Sequence, residues 1–205
     1  MRPMPFGYLI WSPAGLARTP NSAKITGMDV LSEVLKIVKL QGALFFNGEF
    51  SAPWCFDSSA KAMAPHLAPG PEHLITYHFL TEGRAYARLL GGQRVELTAG
   101  DIVIFPHGDA HTLGNGLTGK PVDGRAMLAH LADGLKVARF GGGGEITRFV
   151  CGYMACEPRL CEIFLSGLPK ILKVSVSDEP SGHWLQNSIR FSVAHANGGS
   201  SGSSL

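Results

Sequence analysis

Four short strand-like runs, Leu74 to Glu82, Arg84 to Leu90, Val95 to Leu97 and Ile102 to Phe105, follow one another with Gly83, Gly91-Gly92 and Gly100-Asp101 between them. Runs of this length separated by glycine reverse direction as tight hairpins, because glycine takes the positive-φ backbone such turns need. The same punctuation continues along the chain. Its 26 glycines among 205 residues fall mostly between short apolar stretches, which favours a β-barrel or sandwich. With 45% hydrophobic and 17% charged residues, the chain is expected to bury one substantial core and to form a single domain.

The flanks read differently. Residues 1–27 carry Pro3, Pro5, Pro13 and Pro20 without any apolar period and are expected to be a disordered arm. The domain is placed at 28–196, with 197–205 a flexible Gly/Ser tail. Asp29 is a natural N-cap for an amphipathic helix through Val30, Leu31, Val34, Leu35 and Val38. Ala43 to Phe50 reads as a strand. Ser51 to Glu72 reads as a long irregular loop, since Pro53, Pro65, Pro69, Gly70 and Pro71 interrupt it. Further strands are expected over Arg125 to Leu131, Ile146 to Met154 and Ile171 to Val176, with a turn at Gly141 to Gly144. Pro158 opens a short helix through Leu165. A final helix carries Trp184, Leu185, Ile189, Ser192 and Val193 on one face, an apolar stripe suited to dimerisation.

A formal charge of +2, with scattered Lys and Arg, marks no nucleic-acid or membrane surface. The run Tyr8 to Trp11 is broken by Pro5 and Pro13, too short for a signal segment or a span, so a soluble cytoplasmic protein is expected. Cys55, Cys151, Cys156 and Cys161 lack zinc-knuckle spacing and read as reduced, mostly buried thiols. The 141–144 glycine run lacks the following lysine of a phosphate loop.

The chemistry-bearing constellation is Gly100, Pro106, Gly108, His111 and Asn115, in the order G-x5-P-x-G-x2-H-x3-N. It resembles the second sequence box of the cupin superfamily at every specified position. The first box, G-x5-H-x-H-x3-4-E-x6-G, is met by Gly70, His78 and Glu82. Thr76 stands at its first histidine position and Leu89 at its final glycine. In an unbroken strand, residues 76, 78 and 82 share one face, so His78, Glu82 and His111 would converge in the lumen. Two imidazoles and a carboxylate are a ligand set for Zn, Fe, Ni or Mn. The alternative is a pair of neutral, hydrogen-bonded histidines lining a ligand pocket with Thr76, while Glu82 faces solvent. His73 and His130 are supplementary candidates. Trp54, Phe56 and Phe79 would border the pocket or simply fill the core.

Five ordered blocks between about Met28 and Ala196 extend the resemblance: MDVLSEVLKIVKLQGALFFNGEFSAPWCF, YHFLTEGRAYARL, LTAGDIVIFPHGDAH, FGGGGEITRFVCGYMACEP and LSGLPKILKV. Together they resemble the N-terminal cupin domain of AraC-type transcription regulators. The resemblance implies a mainly β fold, a cupin-type antiparallel double-stranded β-helix (a jelly-roll barrel) with an N-terminal helix and C-terminal helices. It further implies a small-molecule effector, a homodimer, and no enzymatic role. In that family a C-terminal helix-turn-helix pair binds DNA. About 100 further residues would be needed for it, so no direct DNA binding is expected of this chain alone. The competing function is a metal-dependent cupin enzyme, a dioxygenase or isomerase, using His78, Glu82 and His111.

Overall fold

The computed structural model describes residues 41–67, 73–116, 122–123, 135–176 and 180–198. In chain order the elements are β1 (Gln41–Ser51), β2 (Trp54–Ser58), α1 (Ala60–Leu67), β3 (His73–Glu82), β4 (Arg84–Leu89), β5 (Arg94–Thr98), β6 (Asp101–Phe105), β7 (His111–Asn115), β8 (Val122–Asp123), β9 (Val137–Gly141), β10 (Ile146–Cys156), α2 (Pro158–Leu165), β11 (Leu172–Ser175) and α3 (Pro180–Gly198). One sheet runs β11-β6-β3-β10-β1-β9 and the other β5-β4-β7-β2-β8. The chain crosses repeatedly from one to the other, the winding expected of a jelly roll. The ladders are antiparallel except for β1 with β9 and β2 with β8. Among the described residues the sheets form a two-layer sandwich rather than a barrel closed by continuous pairing.

The core between the sheets follows from strand alternation. Phe46 and Phe50 of β1, Trp54 and Phe56 of β2, Leu80 of β3, Phe105 of β6, Leu113 of β7 and Phe149 of β10 all point inward and are buried. Phe50 is the centre of an aromatic cluster, its ring centroid 4.5 Å from Trp54, 5.4 Å from Phe56 and 5.5 Å from Phe140. The opposite face of the larger sheet is covered by α3, whose Leu185, Ile189 and Val193 pack on Phe79, Ile102, Val150 and Val176. The apolar stripe expected to mediate dimerisation is therefore largely spent inside the chain. Trp184 and Phe191 remain outside it, 61% and 69% exposed.

The stretch read as a long irregular loop holds β2 and α1 instead. Trp54, Phe56 and Ser58 are buried while Asp57 is exposed, a period-2 pattern that outweighs the neighbouring prolines. In α1, Ala60, Met63 and Leu67 form a buried face against Leu74, Tyr153 and Ala155. Tyr153 Oη donates to the Leu67 carbonyl at 2.7 Å, which fastens the end of the helix to β10. Pro65 lies within this single short helix, where the buried face offsets one missing N–H.

Strands β7 and β9 also escaped the sequence pattern. Gly114 lies within β7 opposite Tyr86, whose ring and hydroxyl occupy the space a Cβ would need. Cys156 and Cys161, expected as thiols, form a disulfide between the end of β10 and α2, with Cα atoms 6.4 Å apart. The expected helix after Asp29 and the strand at Arg125 to Leu131 lie outside the described residues, as does the arm at 1–27. The tail was placed from 197, but α3 continues to Gly198. Among the described residues, no helix is long and apolar enough to cross a membrane.

Gly141 has φ +126°, and a Cβ on it would run into the Ser51 carbonyl oxygen. Gly143 has φ +88° with nothing near its Cβ position. Gly141→Ala should therefore cost about 3 kcal/mol through backbone strain plus collision, and Gly143→Ala only about 1 kcal/mol. Urea unfolding of the two variants, at unchanged m-value, checks the difference.

Candidate functional site

His78 and His111 meet in the centre of the sandwich. His78 comes from β3 of the larger sheet and His111 from the start of β7 in the smaller one, and both are essentially inaccessible. Their Nε2 atoms lie 2.8 Å apart. His78 Nδ1 lies 2.8 Å from the thiol sulfur of Cys151, its direct register partner on β10. His111 Nδ1 lies 2.8 Å from the carbonyl oxygen of Asp109. Four groups thus form one buried line: Cys151, His78, His111 and the Asp109 carbonyl.

With both imidazoles neutral, only one proton arrangement satisfies that line. A carbonyl oxygen only accepts, so His111 Nδ1 carries a proton and donates it to Asp109. His111 Nε2 is then a lone pair, so His78 Nε2–H donates to it. His78 Nδ1 is in turn an acceptor, and the Cys151 S–H donates there. Electrostatics points the same way. Burial, then the neighbouring His111, hold the His78 pKa well below its ordinary value. Burial brings His111 down to about 4 despite the opposing Asp109 carbonyl. Burial also raises the Cys151 pKa, so its thiol keeps the proton. Phe105 stacks on the His111 ring at 3.5 Å and 5°, which fixes the ring plane.

Glu82 does not join this group. Arg148 pairs with Glu82 and the next residue, Phe149, pairs with Leu80, so Thr81 is an extra residue in β3. The bulge reverses the alternation. Leu80 points inward, while Glu82 sits on the outer face, half exposed and ion-paired to Arg148, which also bonds Glu49. The convergence of His78, Glu82 and His111 is thus corrected to a pair of histidines.

That pair does not suit a metal ion. Two nitrogens bound to one tetrahedral zinc at about 2.0–2.1 Å stand about 3.3 Å apart, whereas this gap has the length of an N–H···N bond. The Cys151 sulfur lies across the His78 ring, on its other nitrogen. Among the described residues no three His, Cys, Asp or Glu side chains are placed to share an ion.

Other expected residues are distributed as follows. Thr76 is fully buried, pairs with Tyr153 and Phe105, and its Oγ1 has no hydrogen-bond partner among the described residues. Trp54 and Phe56 are core residues, and Trp54 Nε1 likewise has no partner among the described residues. Phe79 faces α3 on the outer side, away from the lumen. His73 bonds the Pro106 carbonyl at 2.7 Å and braces the turn before β7. His130 lies outside the described residues. Cys151 is the residue that sequence reasoning missed. Alternation along Ile146 to Met154 places it with Phe149 on one face, but only the register with β3 sets it opposite His78.

A protein-family model described as cupin matches residues 29–205. The chain is similar to the RCS-specific HTH-type transcriptional activator RclR of Escherichia coli (strain K12), 27% identical over 165 residues. That alignment takes in 80% of this chain and 45% of RclR, so the chain spans just under half of the curated relative it matches. Among solved structures it is similar to the Escherichia coli protein YhaK, at TM-score 0.34 and 12% identity over 66% of this chain and 40% of that one. It is also similar to ToxT of Vibrio cholerae O395, at TM-score 0.37 and 9% identity over 74% and 45% respectively.

Both histidines are held neutral in the fold but ionise normally when unfolded, so stability is unaffected above pH 6.5 and is lost as pH falls below it. Between pH 6.5 and 5, His111 alone should remove about 2 kcal/mol, with His78 adding in the same direction. Asp101, Glu49 and Glu145, whose pKa values are lowered, act only below their ordinary carboxylate range and leave this window clear. Unfolding free energy measured at pH 7, 6 and 5 should decline in the wild type. It should stay nearly level in a His78→Leu/His111→Leu variant.

Proposed function

The chain belongs to the cupin family, and from that premise we propose that it is the small-molecule-binding, regulatory domain of an AraC-like transcription regulator. Two supports converge. The ordered sequence blocks are those of such a domain, and the curated relative is a transcriptional activator by name. The observation that carries the reading is the mutual contact of His78 and His111 at 2.8 Å. A sensor needs a shaped interior with a few polar groups, and here the imidazoles spend their nitrogens on each other instead of on a catalytic ion. The reading as a metal-dependent enzyme needs a third donor, and the bulge at Thr81 has turned Glu82 to the outside.

In this proposal the effector contacts Thr76, His78 and His111, with Trp54 and Phe56 forming the aromatic wall. The domain is not an enzyme, and DNA contact belongs to another part of the regulator. The domain also pairs with a second copy, since pairing sets half-site spacing on DNA. Leu185 is committed to the α3 packing, so a polar substitution there would damage the fold. Trp184 and Phe191 are the α3 residues free to report on association.

Purified protein incubated with Zn, Fe, Ni or Mn and then dialysed should retain far less than one equivalent, and His111→Ala should not alter that content. A stoichiometric ion lost on His111→Ala would overturn the sensor reading. In a thermal-shift screen of small molecules, a true effector at 100 times its Kd adds about 2.7 kcal/mol of stability, and Thr76→Val or His111→Leu should weaken that gain. Sedimentation should show a concentration-dependent dimer, weakened by Trp184→Asp/Phe191→Asp.

A further inference from the structure

Among the described residues, five polar side chains are buried on inward-facing strand positions: Ser58, Thr76, His78, His111 and Thr147. Four have partners. Ser58 Oγ donates to Met63 Sδ at 3.5 Å, Thr147 Oγ1 donates to the Arg84 carbonyl at 3.0 Å, and the histidines belong to the Cys151–Asp109 line. Among the described residues Thr76 Oγ1 has no partner, and neither does the indole N–H of Trp54, which is 7% exposed. Buried donors without acceptors are rare in folded proteins, because each has given up water for nothing.

The position of Thr76 adds to this. Its strand partner Phe105 carries the ring stacked on His111, and its other partner, Tyr153, belongs to the cluster beneath α1. The hydroxyl therefore sits between the histidine pair and a helix whose inner face, Ala60, Met63 and Leu67, is apolar.

Charge is the second constraint. Among the described residues Asp101 is the one buried carboxylate, and it is held at the turn between β5 and β6 by Thr98, Ser175 and Lys173. Asp109 reaches part-way in, its Oδ2 buried without a partner among the described residues, but its charge is already paired to Lys170 through Oδ1 at 3.3 Å; Arg84–Glu145 and Arg148–Glu49 lie nearer the surface. Among the described residues an ionised guest in the interior would find no unpaired counterion, and desolvating an unpaired charge is far more costly than desolvating a neutral dipole.

Resting on the effector-binding reading above, we infer that the ligand is an uncharged, largely aromatic or aliphatic small molecule with a carbonyl-type acceptor, and that Thr76 donates its hydroxyl hydrogen to that acceptor. The buried indole N–H of Trp54, in the aromatic cluster around Phe50, offers a second donor.

Three matched probes test this by calorimetry at pH 7.5: acetophenone, benzoate and ethylbenzene. Acetophenone should bind at least tenfold more tightly than benzoate, which has the same ring and an ionised head. Thr76→Val, nearly isosteric, should weaken acetophenone at least fivefold and leave ethylbenzene unchanged, while Thr76→Ser restores the ketone. Because Thr76→Val removes an unpartnered hydroxyl, it should also raise the Tm of the unliganded protein, a gain no purely structural hydrogen bond would give.

Benzoate binding as tightly as acetophenone, acetophenone binding untouched by Thr76→Val, or a lowered Tm in that variant would each overturn the inference. If the small-molecule screen returns only ionised ligands, this inference fails and the effector reading stands. If the screen and all three probes give no binding, the effector reading fails with it.

Discussion

The contact between His78 and His111 is the constraint around which the interior is arranged. It joins the two sheets at their centre, and its protons are ordered from one end by the Asp109 carbonyl. Each neutral hydrogen bond in the line contributes only about 0.5–1.5 kcal/mol net, but leaving one group buried without its partner costs about 1–3 kcal/mol. The asymmetry makes the line specific more than strong. Cys151, His78 and His111 have to arrive together, which fixes the register of β10 against β3 and the position of β7 in the facing sheet. Phe105 contributes by shape, its ring lying flat on His111 and denying that imidazole other orientations.

The same strand explains why Glu82 does not join the two histidines as a third ligand. Up to Leu80, alternate residues of β3 face inward, and one extra residue at Thr81 then turns Glu82 to the outer surface. There it belongs to a surface ladder with Arg148, Glu49 and Arg139, exposed pairs that each contribute little to stability. The polar interior is consequently neutral and linear, while the charges that could have balanced an ion lie on the far side of the sheet.

Much of this was legible in the sequence, and the reasons for the rest are physical. The hairpins from Leu74 to Phe105 were readable because glycine at a reversal and alternation within a strand are local properties. The two histidines were readable because the spacing from Gly100 to Asn115 encodes a return loop that delivers His111 inward. The bulge was not readable, since it is defined by which residue of β10 opposes which residue of β3, and nothing near Thr81 announces it. Cys151 was hidden for the same reason, as its partner lies 73 positions away. Strand β2 and helix α1 were obscured by prolines, which are strong local signals that the burial of Trp54, Phe56 and Met63 overrides.

The larger sheet has two working faces, and β3 contributes to both. Thr76, His78 and Leu80 point into the lumen, while Tyr77 and Phe79 pack beneath α3 against Leu185, Ile189 and Val193. Adjacent residues of a strand share one backbone, so a displacement of β3 large enough to change the His78–His111 distance must also move Phe79 against its buried neighbours. Close-packed interfaces resist gradual deformation and respond by repacking. The regulatory role proposed above requires some physical route by which an interior group is felt at the outside. The shortest covalent connection between the two faces is one peptide bond, between His78 and Phe79.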